Sequence, residues 1–553
     1  MCGETREAAG IVVDARAYDV EGDGQPDNTD ALQRALDACA EEGGGIVRLR
    51  AGVYEIRGTL SIPSGVTLEG VFCAPSSWRE NETNGTTLHA YAGRGSEDGE
   101  PFIKLNTNAT LKGVAVFYPE QTGAEVVSYP WCVSGAGADD VSIMDCLLLN
   151  PYQAIDLASA RNERHFVGRV YGSPLRRGIF VDKCTDIGRI ENVHFWPFFK
   201  AVMKNPAMRA FVEGNAEAFI FGRTDWQYCF NTFCWGYKTG YRFTHTERGV
   251  CNGNFTGIGA DACNTAVLVE NSAPYGILIT NGQFVALLGE EPIQIRVEPT
   301  HAGTIQFNNC SFWGLSHQNA RIAGKGFVSF NQCHFLDWRS MDPPKAAIQV
   351  ESGLVTVNAC RFGKGGPAVR IHKNVRGAIV NANMFADEGA VEVEDGATAS
   401  VGCNLTAAPR FETPQGARIV DVSSSYVLTE GFWPNLALRD SFNGHSYASW
   451  HKSEFSQFRW RIPKDVAGRH TISVWLPTVK AKFRQYLAAE AKYRVHHAAG
   501  DNEVTLSQRD HAEGCWAPLG QFDLDESSHV TVDNKADGGI IVDALMLTKT
   551  TGD

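Results

Sequence analysis

Along most of the chain, apolar residues recur in short alternating runs, not in helical stripes. "QAIDL" (Ile155, Leu157), "RGIFVD" (Ile179, Val181), "AVLVE" (Val267, Val269), "PIQIR" (Ile293, Ile295), "AIQVE" (Ile348, Val350), "AVRIH" (Val369, Ile371) and "AVEVE" (Val391, Val393) all do so with period two. That is the strand signature. "KAVMK" (Val202) reads the same way, because Ala154, Gly178 and Ala201 follow at steps of 24 and 23. A parallel series ends on phenylalanine. "NNCSF", "NQCHF" and "NACRF" place Phe312, Phe335 and Phe362, with looser copies at Phe195, Phe255, Phe284 and Phe385. Two or more strands per repeat of twenty-odd residues, with no helical pattern between them, predict an all-β solenoid, a parallel β-helix.

In such a solenoid each coil sits about 4.8 Å above the last, so equivalent residues stack. The Phe column predicts an internal aromatic ladder. Cys310, Cys333 and Cys360 then read as small buried filler and not as nucleophiles. The Asn column predicts a hydrogen-bonded ladder at a turn.

The two ends differ from the coils. Near the N-terminus, "NTDALQRALDACAEEGGG" carries Leu32, Ala35, Leu36 and Cys39 on one helical face, with Thr29 or Asp30 placed to cap it. This helix is predicted to cover the open end of the solenoid. The acidic "DVEGDGQPD" before it (Asp19, Glu21, Asp23, Asp27) lacks the downstream ligand of a calcium loop and reads as a turn. After "SSSYVLTEG" the coil pattern stops. Alternating strands with turn signals every ten or so residues predict a β-sandwich over 426–553, following a solenoid over 1–425.

"GDGQPDNTDALQRALDACAEEGGGIVRLRAGVY" resembles the N-terminal signature of the pectate-lyase-like β-helix superfamily, which includes polygalacturonase-related and rhamnogalacturonase enzymes and phage depolymerases. The resemblance implies a right-handed parallel β-helix and a polysaccharide or oligosaccharide ligand. The polygalacturonase motifs of that group are absent from the coils, so no catalytic residue is carried over. The tail, through Tyr493 to His497, Gln508, "CWAPLG" and "IVDALML", resembles the C-terminal module of golvesin and xanthan lyase proteins. That likeness implies a glycan-binding module, to which Trp460, Trp475 and Trp516 could contribute stacking; for Trp475 the sandwich core is the expectation.

Composition narrows the partners. A net charge of −13 argues against a general nucleic-acid or membrane-surface binder. No run of 18 apolar residues occurs, so no membrane span is expected. The fifteen scattered cysteines read as buried thiols. The start, "MCGETREAAG", reads as following a removed leader, with Cys2 a candidate lipidation site. This gives a secreted, periplasmic or cell-surface expectation, with oligomeric state open.

The candidate site is placed on the coils near residues 150 to 245. Aligning the runs sends Asp156 and Asp182 outward on adjacent coils, about 8 Å apart at Cα. That spacing suits the acid and base of an inverting glycosidase. Gln153, Arg177 and Lys200 form a column beside them, suited to an anionic sugar. The long step after Ala201 reads as a loop insertion over 205–240, rich in aromatics and carrying Asp225, Trp226 and Tyr228. His194 and Trp196 flank it as further substrate contacts. No cofactor and no metal is expected. The reading is a glycoside hydrolase, with a uronate-cleaving polysaccharide lyase and a non-catalytic glycan-binding surface protein as alternatives.

Overall fold

The computed structural model describes residues 11–75, 85–123, 125–406, 415–442, 444–450 and 455–550; Cys2 lies outside them. The fold is a right-handed parallel β-helix followed by antiparallel sheets. Two compact units are present. The first holds residues up to Ser311 with Ile322–Asn331 and Ser352–Val355; the second holds Phe312–Arg321, Gln332–Glu351 and Thr356 onward.

In the first unit α1 (Thr29–Glu41) buries Leu32, Ala35, Leu36 and Cys39 against the first coils. Its N-cap is Asn28, whose side chain is instead spent on the Glu21 backbone. Parallel strands then stack in register. Gln153–Leu157 pairs with Arg177–Val181, which pairs with Glu217–Phe221, then Thr239–Phe243, Thr265–Val269 and Ile293–Val297. One inward column is Ile155, Ile179, Phe219, Tyr241 and Val267, all fully buried.

This register corrects the alignment made from spacing. Ala201–Lys204 is not a strand but a short helix, α2, followed by α3 (Pro206–Asn215). Asn205 caps α3 by accepting from the Ala207 and Met208 amides, and Pro206 fits the first turn. The next coil strand is "EAFIF", so Glu217, not Lys200, stands beside Arg177. The insertion is therefore this helical pair, and residues 217–243 resume the coil.

The repeated Asn-x-Cys-x-Phe motif has a backbone explanation. Its second residue is left-handed in all three copies: Asn309, Gln332 and Ala359 have φ of 51°, 52° and 53°. The turn brings the following thiol back onto the chain, so Cys310 Sγ donates to the Asn308 carbonyl at 3.4 Å. Side chains also bond from coil to coil, Asn309 to Asn281 at 2.7 Å and Asn331 to Asn308 at 3.2 Å. Phe255 does not belong to the phenylalanine column. It sits one strand earlier, in register with Cys229 and Ile279, while Phe195 aligns with Cys234.

In the second unit the ladder is unbroken. Phe312, Phe335, Phe362 and Phe385 stack with centroids 4.7, 4.8 and 5.0 Å apart, the coil rise itself. Lys364 and Asp337, both about 1% exposed, pair at 3.3 Å beneath these coils. Beyond the coils lie four-, five- and three-stranded sheets, whose antiparallel strands bury Trp433, Tyr447, Trp460 and Tyr493 in one core that also takes Leu315 from a coil. Trp460 thus faces the core and cannot meet a sugar. Trp475 is only half-buried, its ring 5.3 Å from that of Trp516.

Candidate functional site

A groove of about 610 Å³ runs over the outer face of the Gln153–Leu157 to Thr239–Phe243 strands of the first unit. Alternation builds it. Where Ile179 and Phe219 point inward, Phe180 and Ile220 point out and form an apolar floor. Gln153, Arg177 and Glu217 stand side by side at the strand starts. Asp182, Lys183, Thr244 and Thr246 stand at or beyond the strand ends.

At the first end, Arg177 Nη1 donates to Gln153 Oε1 at 2.6 Å and to Glu97 Oε1 at 2.8 Å. Its Nε and Nη2 make no hydrogen bond among the described residues, which leaves one edge of the guanidinium toward the groove. Gln153 is fixed in turn by donating to the Glu97 and Tyr129 carbonyls. One coil further, Glu217 accepts from Arg242 at 3.1 Å, and Arg242 also reaches Glu270 at 2.9 Å. Burial works against the Arg242 charge, but Glu217 and Glu270 outweigh it and hold its pKa above the usual value.

At the other end Asp182 is 4% exposed. Its Oδ1 accepts from the Arg223 amide at 2.6 Å and from Thr246 Oγ1 at 2.9 Å. Among the described residues Oδ2 makes no hydrogen bond, and Asp182 lines the groove. The carboxylate leans over Gly222, where a Cβ would lie 2.6 Å from Oδ1. A glycine here is what lets the acid fold back across the next coil.

Asp156 stands one coil before Asp182 and two residues back, as the register with Phe180 requires. Its Oδ2 accepts from Ser134 Oγ at 2.9 Å, and Oδ1 accepts from the Ala158 and Ser159 amides. Three donors converge on it, and it lies below the groove lining.

The remaining expected residues are elsewhere. Asp225 bonds Asn252 Nδ2 at 2.8 Å and lies 3.8 Å from the Arg223 guanidinium, around the corner from Asp182. Trp226 and Tyr228 are exposed on the neighbouring face. Lys200 precedes α2 and does not line the groove. His194 and Trp196 belong to an aromatic cluster on a third face. His194 packs edge-on to Phe233 and Phe198, Trp196 lies 4.9 Å from Trp235, and burial lowers the His194 pKa. The structure therefore gathers Gln153, Arg177 and Asp182, and separates Asp225, Lys200 and the four aromatic and imidazole contacts from them.

Sequence reasoning missed Glu97, Glu217, Arg242 and Thr246. Glu217 had a signal, since "AFIF" matches "GIFV" once the insertion is ended at residue 216. Thr246 and Glu97 reach the groove through turns that no periodicity marks.

The Golvesin C-terminal domain family matches residues 418–549. No curated protein sequence matches the chain. Among solved structures, a Paenibacillus xanthan lyase is 17% identical over 25% of this chain at a TM-score of 0.22; the chain covers 13% of that protein. The A-module of an Azotobacter vinelandii mannuronan C-5 epimerase is 13% identical, with 72% of this chain and all of the module covered, at 0.39. A tailspike protein of an E. coli bacteriophage, solved with a pentasaccharide, is 10% identical over 98% of this chain and 94% of its own, at 0.42.

Proposed function

We propose that the chain is a carbohydrate-active enzyme that cleaves glycosidic bonds in the groove over the coils, by hydrolysis, with Asp182 transferring the proton. The observation that carries this is the Asp182 carboxyl. One oxygen is locked by a backbone amide and a hydroxyl, and the other is free in a groove with an apolar floor and a polar rim. Apolar surface suits the faces of a sugar ring, and polar walls suit its hydroxyls. A carboxyl held at one oxygen is oriented for transfer at the other, an effect typically worth about 10²–10⁴ in rate.

Asp156 stands about 8 Å from Asp182 at Cα, one coil rise and two strand residues away, but both its oxygens are occupied by Ser134 and the Ala158 and Ser159 amides below the groove lining, so the part of second carboxylate is not assigned to it. Glu217 does not fit that part. It sits beside Arg177, five residues before Asp182, which places it roughly 17 Å from Asp182 along the strands. Beta-elimination is the second reading. It is favoured by the open edge of Arg177, which would neutralise a uronate carboxylate. Asp225 and the aromatics beside it, with His194 and Trp196, lie outside the groove and are assigned no catalytic part.

The test is a panel of neutral and acidic polysaccharides, read by reducing ends and by the ultraviolet absorbance of unsaturated uronate together. Hydrolysis raises reducing ends alone; elimination raises both. Asp182→Asn is expected to melt like wild type and to lose at least about 10² in turnover. A fully active Asp182→Asn refutes the assignment. Polymers that bind and never shorten would make the chain a glycan-binding protein.

A further inference from the structure

In the C-terminal sheets two histidines face each other. Ala491–His497 and His529–Asp533 pair antiparallel, with His496 directly opposite His529. The next pair along, Val495 with Val530, is buried, so alternation puts both imidazoles on the outer face. Their ring centres lie 4.8 Å apart. The His496 side chain is 39% exposed, and His529 is half-buried. On the far side of His496, across the hairpin to Gly500–Leu506, stands Asp501.

Hydrogen bonding fixes which nitrogen each ring offers. His496 Nδ1 donates to Asp501 Oδ1, and His529 Nδ1 donates to the Ser527 carbonyl at 3.0 Å. A carboxylate and a carbonyl oxygen can only accept, so both protons sit on Nδ1. In the neutral ring the lone pair is then left on Nε2. Neither Nε2 has a hydrogen-bond partner among the described residues, and neither is buried. Metal-ligating histidines are held in this way, with the other ring nitrogen donating to a carboxylate or a backbone carbonyl.

We propose that His496 and His529 form a two-imidazole binding site for a divalent transition-metal ion, with Asp501 and the Ser527 carbonyl as positioning groups. An ion about 2.0–2.1 Å from each Nε2 lies about 3.2 Å from each ring centre. At an N–metal–N angle of roughly 90–110° the two centres are then about 4.5–5.2 Å apart. The observed 4.8 Å falls inside that range. Two directly opposite strand residues therefore supply a chelate without backbone movement, and water completes the coordination. The charges around the pair permit a cation. Asp501 adds a negative charge beside His496. Arg461, across from His529, is engaged by the Ser425 carbonyl at 3.0 Å. In the next row Arg494 lies 3.7 Å from Glu503, and Arg459 donates to Gln457 at 3.3 Å. Neutral nitrogen donors select copper, nickel or zinc over magnesium and calcium, which take oxygen. The bound ion clamps the strand Ala491–His497 to its neighbour His529–Asp533.

The experiment titrates Ni²⁺ into the untagged full chain by calorimetry at about pH 7.5, where imidazole is neutral. Accessible thiols such as Cys403 are first capped with iodoacetamide, so that they do not compete. His496→Ala and His529→Ala should each weaken binding at least about tenfold, the least that loss of a supporting group costs. The double variant should bind no more weakly than either single one, because the first loss already breaks the chelate. Asp501→Ala should weaken binding about 10–100-fold while leaving both imidazoles in place. His511→Ala, at an exposed histidine elsewhere, should bind as wild type does. If an alanine variant fails to fold, glutamine at the same position carries the test. Four results overturn the proposal: no Ni²⁺ uptake by wild type, uptake that neither single variant weakens, losses that add in the double variant, or displacement of nickel by excess Mg²⁺. None of these depends on whether Asp182 is catalytic, so failure here leaves the coil groove to its own test.

Discussion

Replacing Asp543 by Asn is expected to stabilise the C-terminal sheets at neutral pH and to flatten their dependence on pH. Asp543 is 1% exposed, in the turn between Ile540–Val542 and Leu545–Lys549. Its carboxyl accepts from Ser446 Oγ at 2.7 Å and from the Phe442 amide at 3.1 Å. Burial raises its pKa from 3.8 to about 8; these two donors pull it down, and Asp421 and Asp440 push it further up. The folded protein therefore keeps this proton up to about pH 8, while the unfolded chain releases it near 3.8. Between those values the unfolded state binds fewer protons, so stability falls as pH rises. The contribution is fully present below about pH 4 and is lost by pH 8. The difference is about 4 units, and at ~1.4 kcal/mol each it amounts to as much as ~6 kcal/mol. That is comparable with the whole stability of a domain, roughly 5–15 kcal/mol. Asn is neutral at every pH, and its carbonyl oxygen can accept from Ser446 and Phe442. At pH 5, 1.2 units above 3.8, the variant should lead by only about 1.6 kcal/mol; by pH 8 it should be several kcal/mol more stable. Urea unfolding across this range reads the difference, followed by the fluorescence of Trp460, whose Nε1 donates to the Asp543 carbonyl at 3.2 Å. A wild type and variant separated by the same free energy at pH 5 and pH 8 would refute the reasoning.

Other outcomes follow from the packing. Gly222→Ala should drive Asp182 off Thr246 and cut turnover about 10²-fold with little change in melting, because a misplacement near 1 Å costs that much; unchanged turnover would show that the Asp182 position does not matter. Phe335→Ala, which removes the middle of the ladder, should cost about 3–5 kcal/mol in thermal or urea unfolding. Cys333→Ser should destabilise without selectively abolishing activity, since a buried thiol gives way to a smaller and more polar hydroxyl; normal melting with no turnover would make the cysteine catalytic. A chain ending near residue 425 should stay folded and cleave soluble oligosaccharide, and insolubility of every such truncation would show that the last coils need the sheets that bury Leu315.

The fold was readable because a solenoid repeats its physics. Period-two runs at Ile155, Ile179, Val267 and Ile348 each report the same strand, and the Asn-x-Cys-x-Phe motif reports the same left-handed turn. The misreadings came where the repeat was interrupted. "AVMK" has a strand's alternation over four residues, too short to distinguish from a helical turn, and Asn205-Pro206 after it is a helix start that outweighs the pattern. That one slip of register placed Lys200 beside Arg177 and left Glu217 inside the insertion. Phe255 misled for a similar reason, since its position relative to Asn matches the motif but its coil turns one strand later. The candidate groove was half legible. Outward positions such as Asp182 follow from alternation, whereas Thr246 and Glu97 arrive through turns of irregular length. The pairing of His496 with His529 had no signal, because two strands well apart in sequence meet only in the folded sheet.

The α2–α3 pair shows how such a protein can change its specificity. The step from Arg177 to Glu217 is 40 residues, against 24 from Gln153 to Arg177, yet the strands on both sides keep their pairing. Asn215 at the end of α3 accepts a hydrogen bond from Arg176 at 2.9 Å, and Arg176 lines the groove. Length at this corner is thus uncoupled from the core, and a duplication, deletion or transplant there alters what the groove wall presents while the ladder beneath is inherited intact. Lineages built on such coils can diverge fastest at the corners, and a library confined to the exposed positions Ala207, Arg209, Ala210 and Gly214 would search ligand preference while leaving the buried Met208 and Val212 in place.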